Sequence, residues 1–126
     1  MISTNIILYC KEWEQTVRFY KDRLLLPVNF STDWFVEFIL TASSRLSIAN
    51  EKRSSIKSCA VKGITLALEV EDIEAVREDM VITGLEPTAI REHSWAARVF
   101  YLFDPEGHRI EIWQKIADET KDNFVC

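Results

Sequence analysis

Eight side chains are suited to meeting a small molecule: the carboxylates Glu37, Glu69 and Glu111, the guanidinium groups Arg45 and Arg109, and the rings Tyr9, Tyr101 and Trp113. Carboxylates held close together raise one another's pKa and can serve as an acid–base pair. With Arg45 and Arg109 on the same surface, neutralisation by ion pairing, or anchoring of a polar ligand, is the favoured reading. Flat amphipathic rings cover an apolar or cationic ligand while offering a phenol or indole donor, or else pack in a core or dimer contact. His93, in a polar loop, and His108, in a turn before the last strand, are read as structural or solvent-facing. Cys10, Cys59 and Cys126 lie far apart and outside any C-x-x-C spacing, which argues against a disulfide framework and a thiolate zinc site. Glycine-rich phosphate loops, G-x-S-x-G elbows and H-E-x-x-H helices are absent from the sequence, and no catalytic residue is assigned.

The elements that must position these groups come in duplicate. At an offset of sixty residues Leu8 meets Leu68, Glu14 meets Glu74, Leu25 meets Leu85 and Pro27 meets Pro87; at sixty-four, Arg45–Ile48 meets Arg109–Ile112. Two modules of about sixty residues follow: module 1 at about 4–50, a polar linker at 51–63, module 2 at about 64–114, and a tail at 115–126 that is either a frayed helix or an arm onto a partner. Each reads as strand, helix and three more strands. Strands are predicted at 4–10, 27–31, 33–41 and 45–49, then at 64–70, 87–91, 96–103 and 108–114. One helix face carries Trp13, Val17, Tyr20 and Leu24, the other Ile73, Val76, Met80 and Leu85.

Strand parity divides each sheet in two. Ile6, Leu8, Cys10, Leu46 and Ile48, with Ile64, Leu66, Leu68, Val70, Ile110 and Ile112, form the apolar set expected under the helices. The opposite parity is mixed: Asn5, Ile7, Tyr9, Arg45, Ser47 and Ala49, with Thr65, Ala67, Glu69, Arg109, Glu111 and Trp113; the repeat adds Glu37 and Tyr101. Such a mixture fits the concave, ligand-holding side of a curved sheet. Trp34, Trp95 and Phe100 take no face, because their neighbours are apolar on both sides.

Composition bounds the function classes. The chain has 126 residues, 48% of them hydrophobic, enough for one packed domain. Twenty acidic against fifteen basic residues give a net charge of −5, the wrong sign for a nucleic-acid partner without a segregated basic stripe. The apolar run Ile6–Cys10 is too short for a membrane span, and no basic segment precedes it as in a signal peptide, so a cytoplasmic location is expected.

The repeated βαβββ unit, the Phe19-Tyr20 pair before Leu24-Leu25, and the closing run Asp104-Pro105-Glu106-Gly107-His108-Arg109-Ile110-Glu111-Ile112 resemble the vicinal-oxygen-chelate superfamily over roughly residues 4–114. That superfamily includes glyoxalase I, bleomycin-resistance and fosfomycin-resistance proteins and extradiol dioxygenases. The resemblance implies an α+β fold of two repeated βαβββ modules forming a curved, cup-like mixed sheet with helices on the outer face, commonly within a homodimer. Metal-dependent members hold a divalent ion with a His early in a module's first strand and a Glu late in its last. The matching positions here are Asn5 and Thr65, and Ser47 and Glu111, so only Glu111 retains a ligand of that kind. Without imidazoles a transition metal has little to grip, and no metal or other cofactor is assigned. The resemblance therefore implies a protein that binds a small organic molecule without transforming it, as in the bleomycin-resistance branch. The alternatives are a divalent-metal-dependent lyase or dioxygenase of the glyoxalase type, with Glu111 as ligand and Glu37 or Glu69 as base, and a regulatory or dimer-forming module.

Overall fold

The computed structural model describes residues 1–93 and 96–116. The expectations for Trp95, for Cys126 and for the tail beyond Ile116 concern residues outside these. The chain divides into two units, the first Met1–Ile64 with Phe103–His108, the second Thr65–Leu102 with Arg109 onward.

In the first unit β1 (Thr4–Cys10) leads into α1 (Trp13–Arg18), and β2 (Val28–Ser31), β3 (Phe35–Thr41) and β4 (Ser44–Asn50) follow. The sheet order is β1-β4-β3-β2, with β1 parallel to β4 and the other pairs antiparallel. The helix widens after Arg18 into π-type turns over Phe19–Arg23, closed by the Leu24 N–H on the Phe19 carbonyl at 3.0 Å. Such widening lets two adjacent residues, Phe19 and Tyr20, both point into the core. Beneath the helix lie Leu8, Cys10, Val36, Phe38, Leu46 and Ile48, all buried. Ile6 departs from the apolar set: it stands 45% exposed on the edge strand β1.

The second unit repeats the plan with β5 (Thr65–Glu69), α2 (Ile73–Ile82), β6 (Arg91–His93), β7 (Ala97–Phe103) and β8 (Arg109–Lys115), in the order β5-β8-β7-β6. Ile6 faces Leu46 across β1 and β4, and Leu66 faces Ile110 across β5 and β8, the two offsets read from the sequence. Ile73, Met80, Phe100, Leu102, Ile110 and Ile112 form this core, while Ile64 precedes the strand and is 53% exposed. The α2 start is capped by the Asp72 carboxylate accepting from the Ala75 N–H at 3.1 Å. Its end is a Schellman turn: the Leu85 N–H reaches the Met80 carbonyl, the Gly84 N–H reaches that of Val81, and Gly84 takes φ 88°.

The strand expected at 87–91 begins only at Arg91 and extends through His93, so His93 lies in a strand rather than a loop. Thr88 does lie beside Tyr101, its N–H donating to the Tyr101 carbonyl. The Tyr101 N–H, however, donates to the Thr88 hydroxyl, and the Thr88 carbonyl accepts from Arg77 Nε at 2.8 Å. A helix side chain has taken the ladder's acceptor, so regular pairing starts later.

Candidate functional site

On the first sheet, register sets Asn5 opposite Arg45, Ile7 opposite Ser47, Tyr9 opposite Ala49 and Glu37 opposite Ser47, so Tyr9, Glu37 and Arg45 share one face. Ser47 and Ala49, on that same face, are fully buried. The Ser47 hydroxyl donates to Asn5 Oδ1 at 2.8 Å, and the Asn5 and Asn29 amides donate to the two oxygens of Glu37 at 3.4 and 2.6 Å. Arg45 turns to its own hairpin: Nη1 donates to the carbonyls of Thr41 and Ser44 at 2.8 and 3.1 Å.

On the second sheet Thr65, Ala67 and Glu69 lie opposite Arg109, Glu111 and Trp113. The Arg109 guanidinium stacks on Tyr101, 4.8 Å from the ring centroid, and its Nε donates to the Thr65 hydroxyl at 2.9 Å. That stacking puts Tyr101 on the same face. Arg98, of the opposite parity, pairs with Glu74 on α2, so fully buried Phe100 beside it points to the helix. Among the described residues neither Arg45 nor Arg109 forms an ion pair with Glu37, Glu69 or Glu111. Trp34 is half-buried, edge-on to Phe35 at 5.5 Å.

The four positions that would hold a divalent ion in this fold do not fit one. Asn5 and Ser47 are bonded to each other, the Thr65 hydroxyl is occupied by a cationic donor, and Glu111 is the one strong ligand. A neutral amide and two hydroxyls are poor partners for zinc, nickel or iron. Among the described residues no group of three His, Cys, Asp or Glu side chains is arranged to hold a metal ion.

A polar centre in the first unit has a different composition. Asp104 is 4% exposed, and its carboxylate accepts five hydrogen bonds. Oδ1 takes the N–H groups of Glu106, Gly107 and His108 at 2.9–3.0 Å. Oδ2 takes the Tyr20 hydroxyl at 2.7 Å and His108 Nδ1 at 2.9 Å. Burial, then the Asp104 charge, holds the Tyr20 phenol well above its ordinary pKa, so it stays a donor. Gly107 permits the turn, with φ 104° and room for no more than a hydrogen, since a Cβ there would stand 3.1 Å from a Val61 methyl. Next to it Glu106 accepts from the Ser58 hydroxyl and the N–H groups of Lys11 and Glu12 at 2.6–2.8 Å. Partial burial works to raise the Glu106 pKa, but these three donors outweigh it and leave the carboxyl below its ordinary value. The Cys10 thiol, raised by burial and then by Glu106 and Asp104, is pushed up to about 12.

The sequence reading treated Asp104-Pro105-Glu106-Gly107 only as a turn and missed this centre. Its signals were present in the Phe19-Tyr20 pair and the Asp-to-His spacing of four, but nothing local says that Tyr20 meets Asp104.

Comparison with known proteins gives this geometry its context. The chain is 26% identical over 125 residues to the uncharacterized protein YraH of Bacillus subtilis (strain 168), covering 89% of this chain and 97% of YraH. A glyoxalase/bleomycin resistance protein/dioxygenase from Nocardioides superposes with a TM-score of 0.76 at 19% identity, covering 92% of this chain and 83% of the other. Lactoylglutathione lyase from Agrobacterium tumefaciens superposes with a TM-score of 0.72 at 14% identity, covering 88% and 91%. At such identities the superpositions establish the fold alone. The sequence profile of the glyoxalase-like domain matches residues 3–117, and with the duplicated βαβββ topology it shows that the chain belongs to the glyoxalase-like family of the vicinal-oxygen-chelate superfamily.

Proposed function

We propose that the protein binds a small organic molecule and holds it unchanged, without a catalytic divalent metal, as one domain of two modules. The donor set carries this reading: three of the four metal positions are an amide and two hydroxyls, each bonded to a neighbour. The recognition groups are Tyr9, Glu37 and Arg45 on the first sheet, and Glu69, Tyr101, Arg109, Glu111 and Trp113 on the second. Arg109 is held by Tyr101 and Thr65 through its ring-facing plane and Nε, which leaves its Nη groups for a ligand acceptor. Unpaired Glu69 and Glu111 suit a cationic group, in keeping with the overall charge of −5. The partner is a small molecule rather than nucleic acid or membrane, and the protein works as a cytoplasmic homodimer. Among the described residues no helix is long and apolar enough to cross a membrane.

Metal analysis and a thermal-shift screen test the proposal together. The expected outcome is less than about a tenth of an equivalent of metal after purification, a Tm unmoved by Zn, Ni or Mn, and a rise with one or more cationic aromatic compounds, because native-state binding stabilises. Near-stoichiometric metal, with an activity lost on chelation, overturns it in favour of the metal-dependent lyase or dioxygenase. A screen without a single hit overturns ligand binding.

A further inference from the structure

Beside the Asp104 centre, within the first unit, is a cleft of about 130 Å³, the volume of roughly four water molecules. Ile7, Tyr9, Lys57, Cys59, Val61 and His108 are among its lining residues. Its walls differ in kind. The His108 side chain is only 8% exposed. Because the Asp104 carboxylate is purely an acceptor, His108 Nδ1 must carry the hydrogen of the bond between them. In the neutral ring Nε2 then presents its lone pair, and Nε2 has no partner among the described residues. No buried side-chain nitrogen or oxygen there lacks a partner, so Nε2 reaches open space, and the space that His108 borders is this cleft. On the linker side stands Cys59, a free and exposed thiol.

We propose that this cleft is a thiol-addition site, in which Cys59 adds to a small α,β-unsaturated carbonyl compound with His108 as its base. A nucleophile, a base and a buried carboxylate that fixes the base's tautomer are the parts that nucleophilic activation requires. In the step, Cys59 Sγ forms a bond to the β-carbon of the acceptor while its proton passes to His108 Nε2. The alkene pair moves to the carbonyl oxygen as an enolate, and the Nε2 proton then returns to the α-carbon. Every atom is retained, and neither oxidant nor leaving group is needed. Lys57 favours a carbonyl acceptor: two of its ammonium protons go to the carbonyls of Glu51 and Ser54 at 2.7 and 2.8 Å, leaving the third for the developing enolate oxygen. The apolar wall of Ile7 and Val61 receives the hydrocarbon part. Cys10, buried and with its thiol pushed up to about 12, stays unreacted.

Acrylamide is the probe, with adducts located by peptide mass mapping at pH 7. Cys59 is expected to add it on the order of a hundredfold faster than N-acetylcysteine, and an acceleration below about tenfold overturns the proposal. His108→Asn keeps a donor toward Asp104 and removes Nε2, so the Cys59 rate is expected to drop to that of the free thiol with Tm unchanged. An unchanged rate in that variant overturns the role of His108. A measurement on the unmutated protein covers the case in which His108→Asn does not fold: the ¹⁵N resonance of His108 Nε2 is expected to move when Cys59 is alkylated and to stay still in acrylamide-treated Cys59→Ser. A still resonance in both overturns the site. The proposal is independent of ligand holding on the sheet faces, since metal content and the compound screen do not depend on Cys59.

Discussion

Asp104 shows how much one side chain can organise. A carboxylate taken out of water must recover its lost solvation from donors, and the five bonds from Tyr20, His108 and three backbone N–H groups do so. Removing one donor leaves the others strained toward a charge they no longer fully satisfy. Tyr20→Phe, which deletes only the hydroxyl, is expected to lower stability by about 2 kcal/mol, the usual size of a hydrogen bond to a charged group. Urea denaturation at pH 7 checks this through the midpoint at unchanged slope. Arg45 carries the opposite lesson. Its type and parity nominate it for a ligand, but its guanidinium is drawn to the carbonyls of its own turn, which are closer than any carboxylate across the sheet.

At the scale of elements, side chains stitch the segments together. Glu106 joins the start of α1, through the Lys11 and Glu12 N–H groups, to the linker, through Ser58. Its carboxyl titrates below the ordinary value of 4.5 in the folded protein. The stabilisation it supplies is therefore complete above that value and is lost as pH falls through the lower folded pKa. Glu106→Gln is expected to be less stable than the parent at pH 7, with the difference shrinking as pH is taken below about 4, and urea midpoints across that range check it. Undiminished loss at pH 3 would remove Glu106 from the acid response. The same principle, a side chain replacing a backbone partner, explains the late start of β6: Arg77 from α2 holds the Thr88 carbonyl. Propensity at 87–91 favours a strand, but propensity does not see an arginine ten residues earlier.

Over the whole molecule the duplication has an energetic consequence. Leu46 and Ile110 occupy matching places, each fully buried beneath its unit's helix. Leu46→Ala and Ile110→Ala are expected to cost about 3 kcal/mol each, the usual price of deleting a buried aliphatic side chain. Equilibrium denaturation of the two variants checks both, and a cost under about 1 kcal/mol at either site would show that its core collapses around the gap. By itself the sequence determined the duplication, the order of the elements, the parity of the strands and the poverty of metal ligands at Asn5, Ser47 and Thr65. These follow from composition and short-range spacing, which pleating and helical pitch convert directly into faces. Only the tertiary structure decided that Ser47 and Ala49 are covered while Ile6 is not, that Phe100 belongs to the helix side, and that Tyr20, Asp104 and His108 meet. Solvent access depends on what packs above a residue, and Tyr20 meets Asp104 across 84 positions of chain. No periodicity carries information over that distance; the packed core does.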